Sequence, residues 1–245
     1  MCNNKIVLYT LIFFSLFFGA CQKEYIVGSK DYKALGTSAH EILTSSPYSL
    51  LQIEINYMPG YAPTQTSINN LIGFLNTYIN KPAGIQVFQH QILPSDKTAL
   101  SITDIVSIEK RNRDIYTDNN IITVHILITE ATYTTSTILA TSYWNTSFCI
   151  FGKTVDNNSG GVDQISKPNL MTILFEHEFG HLLGLVNQGS PMKTDHQDVN
   201  NGAHCRNSSC LMYADVETTW SGSNTNNIPS LDADCISDLK ANGGK

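Results

Sequence analysis

The sequence predicts an α+β domain, and three observations predict it. Stretches with apolar residues at every second position alternate with stretches at helical spacing, so strands and helices interleave. A long helix with a broad apolar surface follows the last strand, at about residues 169–183. Beyond it the periodicity fades and the chain becomes loop-rich, with a helix expected only near the C-terminus.

The first residues read as an address. Met1 to Ala20 carries one cation, Lys5, and an apolar run from Ile6 to Phe18 that ends in Gly19-Ala20. A spanning helix needs about 20 apolar residues, so this shorter run reads as a secretory signal peptide over residues 1–20. Phe18-Gly19-Ala20-Cys21 resembles the lipobox of bacterial lipoproteins. That resemblance implies a lipid on Cys21, attachment to a membrane and a place in the bacterial cell envelope. Residues 21–46 show little pattern and read as a tether, which leaves 47–245 as the folded domain.

Within that domain, Tyr48 to Tyr57 places Leu51, Ile53 and Ile55 at period two, a half-buried strand. Pro59-Gly60 ends it, and Thr66 or Ser67 can cap a helix carrying Ile68, Leu71, Ile72, Leu75 and Ile79. Ile85 to Leu93 follows as a strand, and Ser101 to Tyr116 as a helix with Ile102, Ile105, Val106 and Ile108 inward. Ile121 to Thr129 is a run rich in β-branched residues, as a strand buried on both faces should be. Leu139 to Tyr143 and Ser147 to Phe151 read as two strands joined at Trp144-Asn145, the first expected at the sheet edge. An upper lobe over 47–184 and a lower lobe over 185–245 follow.

Composition narrows the partners. Removal of residues 1–20 takes away Lys5 and no acid, leaving 14 bases and 21 acids, a formal charge of -7. Such a chain has no electrostatic attraction for nucleic acid, and contact with a membrane is expected through the lipid alone. A monomer is expected. Besides Cys2 and Cys21 there are four cysteines: Cys149, Cys205, Cys210 and Cys235. An even count in an exported chain predicts two disulfides, with three connectivities open.

The chemistry centres on Phe175-Glu176-His177-Glu178-Phe179-Gly180-His181-Leu182-Leu183-Gly184. Helix positions four apart share a face, so His177 and His181 present two imidazoles to one point, half of a tetrahedral zinc site. Glu178 can take a proton from a metal-activated water. Gly184 can end the helix and turn the chain. Three further histidines, His40, His90 and His125, have no ligand spacing and read as surface or packed side chains.

Downstream stands His204-Cys205-Arg206-Asn207-Ser208-Ser209-Cys210-Leu211-Met212. Together these stretches resemble the metzincin clan of zinc peptidases, with its H-E-x-x-H-x-x-G-x-x-H signature and a later Met in a tight turn. The string from His204 is similar to that of archaemetzincins, whose third His is followed directly by C-x4-C-x-M. The resemblance implies a zincin fold with a mixed twisted sheet, His177, His181 and His204 on one zinc ion, Glu178 as general base and Met212 in the Met-turn. It implies a peptide or protein substrate hydrolysed by a zinc-dependent endopeptidase.

This chain departs from the clan at two places. Asn187 stands where the third His is expected, and His204 lies 17 residues later. An insertion of that size is tolerable because loop entropy grows slowly with length. His196, inside the insertion, and Asn187 itself remain alternative third ligands. Archaemetzincins also hold a second zinc through such cysteines and a later C-x-x-C, but only Cys235 follows here. The cysteines are therefore expected in disulfides.

Overall fold

A mixed sheet of five strands forms the centre of the structure, a computed structural model that describes residues 30–217 and 227–245. The expected signal peptide, Cys21 and the first residues of the expected tether lie outside the described residues. In chain order the elements are α1 (Ala39–Leu43), β1 (Leu50–Tyr57), α2 (Gln65–Tyr78), β2 (Ile85–Gln91), β3 (Ala99–Leu100), α3 (Ile102–Asn112) and β4 (Ile121–Thr129). There follow β5 (Thr132–Tyr133), β6 (Ala140–Trp144), β7 (Ser147–Phe151), α4 (Gly152–Asn157), α5 (Lys167–Leu182), a 3-10 turn at Ala214–Glu217 and α6 (Ala233–Ala241).

Strand order is β2-β1-β4-β7-β6. The first four strands are parallel, and β6 runs antiparallel to β7 at the edge. Parallel neighbours need long crossovers, which α2 and α3 supply on opposite faces. β3 and β5 form a separate two-stranded parallel pair.

One face of the sheet is apolar. Leu51, Ile53 and Ile55 of β1, Ile122, Val124, Ile126 and Ile128 of β4, and Phe148 and Ile150 of β7 all point toward α2 and α5. Burying a Leu or Ile side chain contributes about 1.5–3 kcal/mol, so this layer dominates stability. Truncating one member, such as Leu71→Ala on α2, should cost about 2–5 kcal/mol. Thr64 caps α2 by accepting the Ser67 N–H, slightly before the expected cap. Ser101 caps α3 in a reciprocal box with Asp104. Ser166 caps α5, with Pro168 in its first turn. From Leu170 to Leu182 every residue of α5 is buried, because the sheet covers one side and the C-terminal region the other.

The opposite face is different. Part of it is apolar, with Leu127, Cys149 and Phe151 beneath Ile105 and Ile108 of α3. The rest is a buried polar network around Arg113, which is fully enclosed. Its guanidinium donates to Glu109 at 2.8 Å and to the Thr123 carbonyl at 3.1 Å, and pairs with Asp31 at 3.3 Å. Glu109 also accepts from Tyr143 (2.7 Å) and Ser147 (2.8 Å). Burial alone would raise the Glu109 carboxyl; His125, Arg113 and the two hydroxyls outweigh it and hold it below its ordinary range. Burial pushes the neighbouring His125 down to about 4.

The tether reading needs correction from residue 30 onward. Asp31 is buried and accepts the Thr117 N–H at 2.9 Å, while Ile42 and Leu43 of α1 join the main core. Asn145 ties the same segment down by accepting the Lys33 N–H (2.9 Å) and donating to the Lys30 carbonyl (2.7 Å). A helix of one turn carries too little periodicity to show in sequence.

Candidate metal centre

Helix α5 brings two of the expected ligands together. The rings of His177 and His181 meet edge to face with centroids 4.8 Å apart, and their Nε2 atoms lie 3.1 Å from each other. After Leu183 the chain turns at Gly184, whose φ is +78°. A β-carbon there would fall 2.4 Å from the Ser190 nitrogen, so only glycine fits the exit.

The insertion does fold His204 back. Its ring centroid lies 5.3 Å from that of His177 and 5.0 Å from that of His181, and one ligand atom from each residue falls within 4.8 Å of the others. All three side chains are buried. His177 Nδ1 lies 2.7 Å from the Leu211 carbonyl and His204 Nδ1 lies 2.6 Å from the Asn201 carbonyl. A carbonyl can only accept, so both Nδ1 atoms carry the proton and both Nε2 atoms present lone pairs. Nitrogens about 2.05 Å from a tetrahedral zinc would be about 3.3 Å apart, close to the Nε2 separation found here. The donor set and its geometry fit zinc.

Met212 sits directly beneath this helix. A β-carbon at Gly180 would lie 2.2 Å from Met212 Sδ. Gly180 is therefore part of the site's construction, a role that the sequence reading did not assign. Glu178 is fully buried, and its Oε2 accepts a 2.6 Å hydrogen bond from Ser142 of β6. Ser142 was not foreseen either, since nothing in its neighbourhood marks a serine as special.

Both alternative ligands lie elsewhere. Asn187 is exposed in a left-handed conformation with φ +60°, its amide 3.5 Å from the Gln197 side-chain oxygen. His196 belongs to a second cluster. There its Nε2 donates to Asp238 at 2.9 Å, which leaves the Nδ1 lone pair facing Cys205 Sγ at 3.4 Å and Cys235 Sγ at 3.9 Å. Asp238 is buried and also accepts the Lys193 N–H at 2.7 Å.

The expected disulfides are corrected by this cluster. Cys149, Cys205, Cys210 and Cys235 are all free thiols. Cys149 lies in β7 under α3, whereas the other three gather with His196. Cys210 and Cys235 sulfurs stand 3.7 Å apart, far beyond the roughly 2.04 Å of a disulfide. His196, Cys205, Asp232 and Cys235 offer ligand atoms within 4.8 Å of one another. The Cys235 thiol donates to Cys210 and pulls its pKa down to about 7, helped by the N–H groups of Asp232 and Met212. Burial and the Asn207 N–H act against each other on Cys205, and burial prevails, raising it to about 12. Asp232 caps α6 by accepting the Cys235 N–H at 2.9 Å and also accepts from Asn207 at 3.0 Å. Two sulfurs, one imidazole and one carboxylate, from Cys205, Cys235, His196 and Asp232, make a donor set of the kind that holds a structural zinc. Even cysteine counts predict disulfides only when the thiols meet in pairs, and here they meet as three.

No family model matches the sequence, and no curated protein matches it either. Solved structures give distant likenesses, two of which follow. The chain is similar to archaemetzincin from Methanopyrus kandleri, at 11% identity and a TM-score of 0.49, covering 79% of this chain and 96% of that one. It is also similar to metalloproteinase-II from Bacteroides fragilis, at 14% identity and a TM-score of 0.44, covering 84% of this chain and 60% of that one.

Proposed function

We propose that this chain is a zinc-dependent endopeptidase. The observation that carries the reading is the convergence of His177, His181 and His204 beside a buried glutamate on the same helix. His177, His181 and His204 would hold the ion through Nε2. Bound zinc supplies an acidified water and a Lewis acid for the scissile carbonyl. Glu178 takes the proton from the attacking water and hands it to the leaving amine. The Leu211 and Asn201 carbonyls keep two imidazoles in the tautomer that the site needs.

A peptide is the substrate class that the surroundings favour. β6 ends the strand order, so one of its edges is open for main-chain pairing among the described residues, and it packs against the helix that bears Glu178. An extended segment adding to that edge would pass in front of the base. We further propose that His196, Cys205, Cys235 and Asp232 hold a second, structural zinc, and that the chain is exported and anchored by a lipid on Cys21.

Comparison of wild type with Glu178→Ala on a peptide library tests the reading. Loss of cleavage by about 10²-fold or more, with zinc content unchanged, is the expected result. Equal cleavage by both proteins would leave a zinc-binding envelope protein without catalysis.

A further inference from the structure

We propose that Ser142 is a positioning residue for Glu178, tying the base to the strand along which substrate lies. The proposal rests on the peptidase reading above. Glu178 comes from the middle of α5 and Ser142 from edge strand β6, so their 2.6 Å hydrogen bond joins two separate elements. A hydroxyl donating to a carboxylate at that distance is a strong, charge-assisted contact. It holds one carboxylate oxygen and restrains rotation of the whole group.

The placement of Ser142 is itself overdetermined. Ser142 pairs with Phe148 of β7, while Trp144 pairs with Ser147, so Tyr143 is the extra residue of a β-bulge. Phe148 packs edge-on against Phe175 and Phe179 of α5, with centroids at 6.4 and 5.6 Å, on either side of Glu178 in the helix sequence. Those contacts set the height of the strand above the helix. Tyr143 points to the other face and donates to Glu109 at 2.7 Å, which Arg113 holds in turn. The strand is thus gripped from both faces at consecutive residues. Side chains elsewhere on an edge strand need no such grip, and bulges are found where a side chain must be re-aimed.

The consequence is geometric. Substrate paired with β6 and a base hydrogen-bonded to β6 share one frame of reference, so the scissile carbonyl and the carboxylate keep their distance as the strand shifts. A misplacement of about 1 Å can cost about 10²-fold in rate. Ser142→Ala should therefore lower kcat by about 10–100-fold, with KM changed less than about twofold. Ser142→Thr, which keeps the hydroxyl, should restore most of the loss.

A double-mutant cycle on the purified full chain tests this. It uses wild type, Ser142→Ala, Glu178→Ala and the double variant, each read for cleavage kinetics, zinc content and melting temperature. Support requires that the Ser142 change lower kcat in wild type and nothing further in the Glu178→Ala background. It also requires a coupling between the two changes in melting temperature, which reads the contact without any turnover. Full kcat in Ser142→Ala while Glu178→Ala is inactive would overturn the positioning role alone, as would additive melting shifts. Equal cleavage by wild type and Glu178→Ala would overturn the peptidase reading and this proposal together.

Discussion

The two clusters of ligand-type side chains are joined by a single peptide bond, His204 to Cys205, and are built in opposite ways. The imidazole cluster stands on one regular helix, with two of its three members four residues apart on α5. The thiol cluster is assembled from a loop, the cap and first turn of α6, and an insertion, with no period at all. Yet the irregular cluster organises the regular one. Cys205 follows the third imidazole directly, and its N–H is hydrogen-bonded to the Met212 carbonyl at 2.8 Å. Cys210 precedes Leu211, whose carbonyl orients His177, and Met212, which fills the notch at Gly180. A site can thus announce itself by helical spacing while depending on neighbours that spacing never reveals.

Breaking the thiol cluster should have the largest structural effect. Cys235→Ser, or prolonged chelation, should lower the melting temperature by about 5–10 °C, the equivalent of losing a ligand held at a hundredfold excess over its Kd. Thiol titration of the denatured chain without reductant should find Cys149, Cys205, Cys210 and Cys235 all reactive. Disulfides would make the count fall.

Gly180→Ala sharpens the comparison from the other side. Its new methyl group meets Met212 Sδ, so the variant should lose about 1–3 kcal/mol of stability as Met212 is displaced. Adding Met212→Ala should give part of that back if the clash is the cause; thermal melts of the single and double variants decide it.

Acid should also act on the polar face of the sheet. His125 titrates at about 4 in the fold against 6.5 unfolded, because burial disfavours its charged form. Between those values the unfolded chain binds more protons, so stability rises with pH through the window and falls as pH drops from 6.5 to 4. The slope from one such proton is at most about 1.4 kcal/mol per pH unit. Melting temperature measured across this range should decline less steeply in His125→Gln than in wild type.

Much of the fold was legible because its elements are periodic and long. β4 has the bounds that its β-branched run predicts, Ile121–Thr129, and α5 begins only two residues before its predicted start. Order, sheet edge and C-terminal helix follow the same logic. What escaped is what periodicity cannot carry: a five-residue helix in the supposed tether, the Arg113 network contributed by four distant segments, and Ser142 and Asp238, ordinary residues made important by what they touch. His196 was noticed only as an alternative third ligand for the helix pair, and it stands instead with Cys205, Asp232 and Cys235.

Zinc counting in His204→Ala and His196→Ala, each beside its cleavage rate, tests the central assignment most directly. The account predicts that His204→Ala loses one zinc and all cleavage while keeping the thiol-bound ion, and that His196→Ala weakens the thiol-bound ion instead. If His204→Ala keeps its full zinc and its activity, while His196→Ala loses both, the assignment of His204 to the helix pair is wrong.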